Sequence, residues 1–385
     1  MIYLDNAATS YYKPEEVINA VCEAMKTMGN AGRGANDASL SSARKIYETR
    51  EKICDFFNGE SSKQVVFTSN ATEALNMAIN GLFSEKSHII TTEAEHNSVL
   101  RPLYLLEKKG TSITFLKSHE IENPDISFMQ KYIRKNTEAV ICTHASNLTG
   151  NITDIKKIGE FCRRNNLLFI VDASQTAGII PIDIISDNID VLCFTGHKGL
   201  MGLQGTGGLY VKKGININPM KVGGSGIDTY NKNHPVSMPE RLEAGTLNGH
   251  GIAGLNAAID FINKTGIQNI HKKESELMWK FYDGIKNIKN IKIYGTFFNR
   301  QNEKINRIPL ISINIGDIDS GEICDILNVE YNIVTRAGGH CAPLMHKALG
   351  TERQGAVRFS FSYFNSENDV KNTVNALKEI VSYYK

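Results

Sequence analysis

Residues 167–199 read LLFIVDASQTAGIIPIDIISDNIDVLCFTGHKG, and this stretch indicates the fold of the chain. It contains two apolar runs, Leu167–Val171 and Val191–Thr195, of the kind found in strands buried on both faces of a parallel sheet. A carboxylate, Asp172, follows the first run, and a lysine in a glycine-rich loop, Lys198, follows the second. Ligands of open parallel sheets bind beyond the carboxyl ends of the strands, so both side chains are expected at a binding edge.

Similar short runs recur along the first half of the chain, with helical patterns between most of them. The further runs are Val65–Phe67, His88–Thr91, Ser112–Leu116, Ala139–Thr143 and Gly207–Val211, and the helical segments include Thr72–Leu82, Asn97–Lys108 and Ile155–Arg164. This alternation predicts an α/β fold with a mostly parallel, seven-stranded sheet. Residues 196–206 are too few for a crossover helix, so the strands that flank them are expected to be antiparallel neighbours at one side of the sheet.

The pattern changes after residue 211. A long irregular segment extends to Pro239, and helices and strands then follow in mixed order. They are predicted as helices from Ile252 and over Ile270–Ile285, Gly321–Leu327 and Asn368–Tyr383, and as strands over Ile291–Tyr294, Leu310–Ile315 and Ala356–Ser362. We therefore expect a smaller α+β domain, with its boundary near residues 249–252.

Composition excludes several classes of protein. The 385 residues carry 43 Lys and Arg against 41 Asp and Glu, a formal charge of +2, which argues against a nucleic-acid binder or a polybasic membrane protein. The seven scattered cysteines do not suggest a disulfide framework. The sequence contains neither a visible signal peptide nor an apolar run long enough to span a membrane, so we expect a cytoplasmic protein.

Polar residues follow the other predicted strands too. The small residues Ala71 and Thr72 begin a helix that could bind a phosphate, His96 could stack on a flat ligand, and Asn147 could donate to a ligand oxygen. Each position also has an ordinary explanation as a helix cap or a turn. Together with Asp172 and a Schiff-base lysine, however, they form the set of groups that pyridoxal 5′-phosphate (PLP) requires. The sequence shows no phosphate-binding P-loop motif, and no metal site is predicted.

A series of motifs gives the chain a marked resemblance to a known family. In order, they are Tyr3-Leu4-Asp5-Asn6-Ala7-Ala8-Thr9, Asn70-Ala71-Thr72-Glu73, Glu95-His96-Asn97-Ser98, Ser146-Asn147, Val171-Asp172-Ala173-Ser174-Gln175, Gly196-His197-Lys198, Glu243-Ala244-Gly245-Thr246 and Arg336-Ala337-Gly338-Gly339-His340-Cys341-Ala342. The chain resembles the cysteine desulfurases of the class V aminotransferase superfamily, in the branch with a short loop around the catalytic cysteine. The resemblance covers nearly the whole sequence.

The resemblance implies the fold type I architecture of PLP enzymes and a homodimer. It implies a large PLP-binding domain of residues 13–250 and a small domain of residues 1–12 plus 251–385. It makes Lys198 the lysine that carries the cofactor, and it places His96 over the pyridine ring. It also implies that Lys198, Cys341 and His96 are the catalytic residues. The other implied cofactor contacts are Asp172 at the ring nitrogen, Gln175 near the phenolic oxygen, Ala71, Thr72, Thr195 and His197 at the phosphate, and Thr246 at the phosphate of the partner subunit.

The resemblance also implies a substrate site. Asn147 and Arg358 would hold the substrate carboxylate, with Arg33 and Arg336 nearby. Strand periodicity agrees for Arg358, because it alternates with apolar neighbours and its planar guanidinium matches a carboxylate; a surface ion pair explains it equally well. Cys341 follows two glycines on a loop that we expect to be mobile.

The implied reaction is conversion of L-cysteine to L-alanine, with the sulfur transferred to Cys341 as a persulfide and passed on to an acceptor protein. A selenocysteine lyase and a class V aminotransferase on the same scaffold are alternatives, as is a PLP-binding regulator or sulfur carrier without turnover. Three positions depart from the pattern of many relatives: Leu203 replaces a proline, and Gly339 and Asn36 each replace a histidine. The last two leave substrate identity and turnover rate open.

Overall fold

The computed structural model describes residues 1–31, 36–118 and 129–384. Its strands are β1 (Ile2–Tyr3), β2 (Val65–Thr68), β3 (His88–Thr92), β4 (Ser112–Leu116), β5 (Thr137–Thr143), β6 (Leu168–Asp172), β7 (Val191–Thr195), β8 (Gly207–Val211), β9 (Ile291–Tyr294), β10 (Leu310–Ile315), β11 (Ile333–Val334) and β12 (Val357–Ser360). Its α-helices are α1 (Glu15–Thr27), α2 (Asp37–Phe56), α3 (Ala71–Leu82), α4 (Asn97–Glu107), α5 (Ile155–Arg164), α6 (Gly249–Thr265), α7 (Ile267–Ile285), α8 (Ser320–Tyr331), α9 (Pro343–Leu349) and α10 (Glu367–Tyr383).

The large sheet has seven strands in the order β2-β8-β7-β6-β5-β3-β4. Strands β7, β6, β5, β3 and β4 are parallel to one another, and β8 runs antiparallel to both β7 and β2. The predicted antiparallel pair is therefore confirmed, and β2 lies outside it at the edge. Because β2, β3, β5, β6 and β7 point the same way, the loops that follow them meet at one edge of the sheet.

The central strands are apolar on both faces because the sheet separates two cores. Along β7, Leu192 and Phe194 belong to one buried cluster, whereas Val191 and Cys193 belong to the other. Cys142 of β5 lies in the same core as Leu192. This alternation is the period of two that a strand imposes, and it explains why these strands read as continuous hydrophobic runs.

A second, antiparallel sheet has the order β12-β10-β9. Helices α7 and α10 pack against each other beside it and share its apolar core. The amino-terminal strand β1 joins this part of the molecule, because it pairs in parallel with β11. Helix α6 instead packs on α1 and α2. The division at residues 12/13 and 250/251 stays a prediction. Within the described ranges, no helix has the length and hydropathy needed to cross a bilayer.

Candidate active site

A cleft of about 460 Å³ opens at the carboxyl ends of the parallel strands. Nine of the residues that the sequence predicted as cofactor or substrate contacts lie on its wall, at the ends of five strands or in the loops that follow them. The lining residues are Asn70, Ala71, Thr72, His96, Ser98, Thr143, Asn147, Asp172, Ser174, Gln175, Thr195, His197 and Lys198.

One end of the cleft has the properties of an anion site. Helix α3 begins there, so its first backbone N–H groups and its dipole favour negative charge. The Thr195 hydroxyl and Nδ1 of His197 are buried without a hydrogen-bond partner among the described residues. Gly207 of β8 makes room for this turn, since a Cβ on it would lie 2.7 Å from the Cα of Asn70. Two orphaned polar atoms beside a helix amino terminus fit a bound phosphate.

The middle of the cleft contains a carboxylate and an imidazole. Oδ1 of Asp172 accepts hydrogen bonds from the Ser174 backbone N–H at 2.9 Å and from the Ser174 hydroxyl, which fixes the carboxylate at the end of β6. His96 precedes α4, and its Nδ1 accepts from the Ser98 backbone N–H at 3.0 Å. The Ser98 hydroxyl in turn lies 2.7 Å from that of Thr72. Burial lowers the pKa of His96 to about 4, so the imidazole is neutral near pH 7.

Lys198 lies on the cleft wall in the loop after β7. Burial lowers the pKa of its amine to about 8, although the nearby charge of Asp172 acts in the opposite direction. A substantial fraction of the amine is therefore neutral near physiological pH, which is the form that attacks an aldehyde. Lys198 and Asp172 both line the cleft, and the roles that the sequence predicts for them stay predictions.

A second acid, Glu95, lies beneath the cleft and is fully buried. One of its oxygens accepts from the Thr143 backbone N–H at 3.0 Å and from the Thr92 hydroxyl, and it thereby joins the ends of β3 and β5. Its other oxygen has no partner among the described residues. Burial raises the pKa of Glu95 to about 8, so this acid is mainly protonated at pH 7.

The predicted substrate residues Arg358 and Asn147 are adjacent. Nη1 of Arg358 donates to the backbone carbonyl of Asn147 at 2.9 Å, and Nη2 donates to Oδ1 of Asp5 at 2.9 Å. Arg336 lies beside Arg358, because the two residues form a backbone bridge. Arg33 lies outside the described residues.

Cys341 is exposed on the loop between β11 and α9. Hydrogen bonds fix the two residues at the tip of this loop: Asn147 Nδ2 donates to the His340 carbonyl at 2.7 Å, the Asn97 N–H donates to the Cys341 carbonyl at 2.8 Å, and His340 Nε2 donates to the Ala356 carbonyl at 2.9 Å. Two of these donors belong to segments that line or flank the cleft. The backbone of Cys341 is therefore attached to the same edge of the sheet as His96 and Asn147.

Some positions were predicted differently or not at all. Thr246 is exposed and does not line the cleft of its own chain. Ser98 and Ser174, which orient His96 and Asp172, were not predicted as site residues. Their position two residues after the group that they bond is the signal that could have identified them. Asn36 caps α2 by accepting from the Ser39 N–H at 3.0 Å.

The family model described as aminotransferase class-V matches residues 2–373. The chain belongs to the class V aminotransferase family. Two similar members are a probable cysteine desulfurase of Methanothermobacter thermautotrophicus, 33% identical over 98% of this chain and 94% of the relative, and one of Pyrococcus abyssi, 34% identical over 99% and 94%.

Solved structures of cysteine desulfurases have the same fold. An apo cysteine desulfurase from Thermococcus onnurineus NA1 superposes with a TM-score of 0.90 at 32% identity, covering 99% of this chain and 95% of that one. The cysteine desulfurase CsdA from Escherichia coli gives a TM-score of 0.85 at 26% identity, with 99% and 94% covered. The predicted fold type I architecture is confirmed by these likenesses.

Proposed function

We propose that the protein is a PLP-dependent cysteine desulfurase that converts L-cysteine to L-alanine and carries the sulfur on Cys341. One observation carries the proposal: an exposed cysteine is hydrogen-bonded, through its carbonyl, to the helix that begins at the cleft containing Lys198 and Asp172. The similarity to proteins named cysteine desulfurases supports it.

The cleft fits PLP on the properties of its own residues. Ala71, Thr72, Thr195 and His197 would hold the phosphate, Asp172 the ring nitrogen, and Gln175 the phenolic oxygen, while His96 would lie against the ring face. Lys198 would bind the aldehyde carbon. When bound, PLP supplies an electron sink that makes bonds at the substrate Cα and Cβ easier to break.

The chain's own groups would carry out the remaining steps. Arg358 and Asn147 would bind the substrate carboxylate. Once the amine of the substrate has replaced Lys198 at the aldehyde carbon, the released, neutral Lys198 amine would remove the Cα proton. The Cys341 thiolate forms a bond to the substrate sulfur as the Cβ–S bond breaks, and the electron pair of that bond goes to the carbon fragment. The fragment takes up protons and leaves as alanine, so Cys341 holds the sulfur as a persulfide.

The alternatives differ in their need for Cys341. A class V aminotransferase transfers an amino group and has no use for a thiol there, whereas a selenocysteine lyase depends on it less because selenium leaves more easily. The exposure of Cys341 beside the cleft favours the desulfurase. Further parts of the proposal are a homodimer in which Thr246 reaches the phosphate in the partner subunit, transfer of sulfur to an acceptor protein, and a reducing cytoplasmic setting that keeps the thiol free.

The decisive experiment measures alanine formed from L-cysteine, together with mass spectrometry of the peptide that contains Cys341. The wild-type protein should form alanine and a persulfide on Cys341. The Cys341→Ser variant should bind PLP normally but form neither product, because a hydroxyl is a poor acceptor for sulfur. Cys22→Ser, at an exposed cysteine of α1, is the matched control and should keep full activity.

Lys198→Ala tests the cofactor part separately, since it should abolish the visible absorbance of the bound cofactor. If Cys341→Ser forms alanine from cysteine at the wild-type rate, Cys341 is not the sulfur acceptor, and the lyase or aminotransferase becomes the better assignment. A wild-type protein that does not bind added PLP would remove the basis of all three.

A further inference from the structure

Two arginines that the sequence predicts as substrate residues are held side by side. Arg336 and Arg358 exchange backbone hydrogen bonds, at 2.8 Å and 3.3 Å, in an isolated antiparallel bridge. Arg358 is also part of β12, where it pairs with Ser312 of β10, and its side chain is 1% exposed. The backbone of Arg358 is therefore fixed and its guanidinium is buried, and a second cation lies close to it.

The acid that pairs with Arg358 comes from the far end of the sequence. Asp5 follows β1 and bonds to Arg358 at 2.9 Å. Its neighbours are fixed: the Ser360 N–H donates to the Leu4 carbonyl at 2.7 Å, and Nδ2 of Asn6 donates to the Ser360 carbonyl at 3.0 Å. The amino-terminal segment is thus attached to β12 on both sides of Asp5, and the carboxylate is held beside Arg358 by backbone contacts.

Arg336, Arg358 and Asp5 together have a net positive charge. The two guanidinium groups contribute +2 and the Asp5 carboxylate −1, so the sum is +1. In addition, Nε of Arg358 is buried and has no hydrogen-bond partner among the described residues. A buried donor without a partner is costly, and a single net positive charge matches one carboxylate group.

We propose that Asp5 is a positioning and affinity-setting residue for the substrate: it holds Arg358 in place for the carboxylate and offsets the second positive charge. The inference rests on the proposed role of Arg358 in binding that carboxylate. Asp5 has two separable effects. Its oxygen orients the guanidinium, which aids binding, while its charge competes with the carboxylate of the substrate, which moderates affinity and favours product release.

Two substitutions separate these effects. Asp5→Asn keeps an oxygen that accepts from Nη2 of Arg358 but removes the charge, so a carboxylate ligand should bind more tightly. Asp5→Ala removes both the charge and the contact, so the guanidinium loses its alignment and the same ligand should bind more weakly. Asp55→Asn changes the charge of an exposed residue on α2 and serves as the control.

The measurement is a spectral titration of the PLP-loaded protein with L-alanine and, in parallel, with ethylamine, which is alanine without its carboxylate. We expect the Kd of L-alanine to fall about three- to tenfold in Asp5→Asn and to rise by a similar factor in Asp5→Ala. The Kd of ethylamine should be the same in both variants as in the wild type and in Asp55→Asn.

Any other pattern overturns the proposal, including no change, an equal loss in both variants, or parallel shifts for L-alanine and ethylamine, which would show a merely structural role. If Asp5→Ala does not fold, Asp5→Asn decides alone, because misfolding does not tighten binding of one ligand selectively. Arg358→Lys tests the premise: unchanged L-alanine binding there would refute the role of Arg358. Because the titration requires bound PLP but no sulfur transfer, a failed desulfurase assay would leave its result interpretable.

Discussion

Lys198 shows how the environment of a single side chain sets its chemistry. Burial lowers the pKa of the amine to about 8, so the reactive neutral form increases as the pH rises through 8. We expect the rate of PLP uptake by the apo protein to increase from pH 7 to pH 9 and then level off. Since the charge of Asp172 raises the Lys198 pKa, Asp172→Asn should move the midpoint to lower pH. Stopped-flow absorbance would measure both; a rate independent of pH, or a midpoint moved upward, would contradict this account.

Glu95 shows how burial of a carboxyl group that has no proposed catalytic role affects the stability of the protein. Its pKa is raised from 4.5 to about 8, so the folded state keeps a proton that the unfolded state releases above pH 4.5. Ionisation in the unfolded state therefore lowers the stability of the wild type progressively from about pH 4.5 to pH 8. Glu95→Gln removes this term, and its Tm relative to wild type should be higher at pH 8 than at pH 5.

The expected size is at most about 1.4 kcal/mol for each unit of pKa shift. Glu51→Gln, at an exposed residue of α2, is the control and should show no such trend. A Glu95→Gln variant whose Tm difference from wild type is the same at both pH values would show that Glu95 is ionised in the folded protein.

At the scale of elements, the loop that contains Cys341 combines unusual backbone angles with firm attachment. His340 and Cys341 have φ angles of +46° and +54°, a region that favours glycine. Cys341→Gly should therefore be more stable than Cys341→Ala by up to about 1 kcal/mol, although both lose sulfur transfer. Thermal unfolding of the two variants measures the difference. An alanine variant as stable as the glycine variant would show that the left-handed backbone at Cys341 carries no strain.

Gly339, where the family resemblance leads us to expect a histidine, lies on the same loop as Cys341. Gly339 is exposed, and a Cβ placed on it would meet no atom within 4 Å. Space is therefore no obstacle to the histidine that the family resemblance leads us to expect at this position. Its replacement by glycine removes a polar side chain close to Cys341 without a compensating contact in the described structure.

Elements that are specified by a local sequence pattern could be predicted, whereas contacts between residues far apart in the sequence could not. Strands β4, β7, β8, β9 and β10 and helix α5 have the predicted bounds, because each is a local pattern of apolar residues between turn signals. The contact of Asp5 with Arg358 joins residues 353 positions apart. No local sequence pattern indicates a contact between residues so far apart in the sequence. The sequence therefore suggested Arg358 as a site residue but did not identify Asp5 as its partner. His340 and Cys341 form hydrogen bonds with Asn97, Asn147 and Ala356, which are all remote in sequence or across a turn. The two glycines, on which the expectation of a mobile loop was based, contain no information about these contacts.

At the scale of the whole molecule, one segment that follows β8 exposes several apolar side chains. Between residues 220 and 236, the side chains of Val222, Tyr230 and Val236 are 70%, 101% and 82% exposed. Thr246, which the family resemblance assigns to a phosphate contact, is also exposed and distant in sequence from every residue of the cleft wall. A shared, dimeric active site would leave such exposed apolar side chains in a single chain, together with a residue that does not line the cleft of its own chain.

This arrangement predicts complementation between two defective chains. Lys198→Ala removes the lysine of one site, and Thr246→Asp places a negative charge against the phosphate of the site that Thr246 serves. If Thr246 acts in the partner subunit, a mixed dimer contains one intact site, with Lys198 from one chain and Thr246 from the other. Unfolding and refolding the two variants together should therefore restore alanine formation to about a quarter of the wild-type rate, because random pairing makes half of the dimers mixed and each mixed dimer has one of two sites intact. If Thr246 acts within its own chain, every site stays defective and the mixture is as inactive as its components.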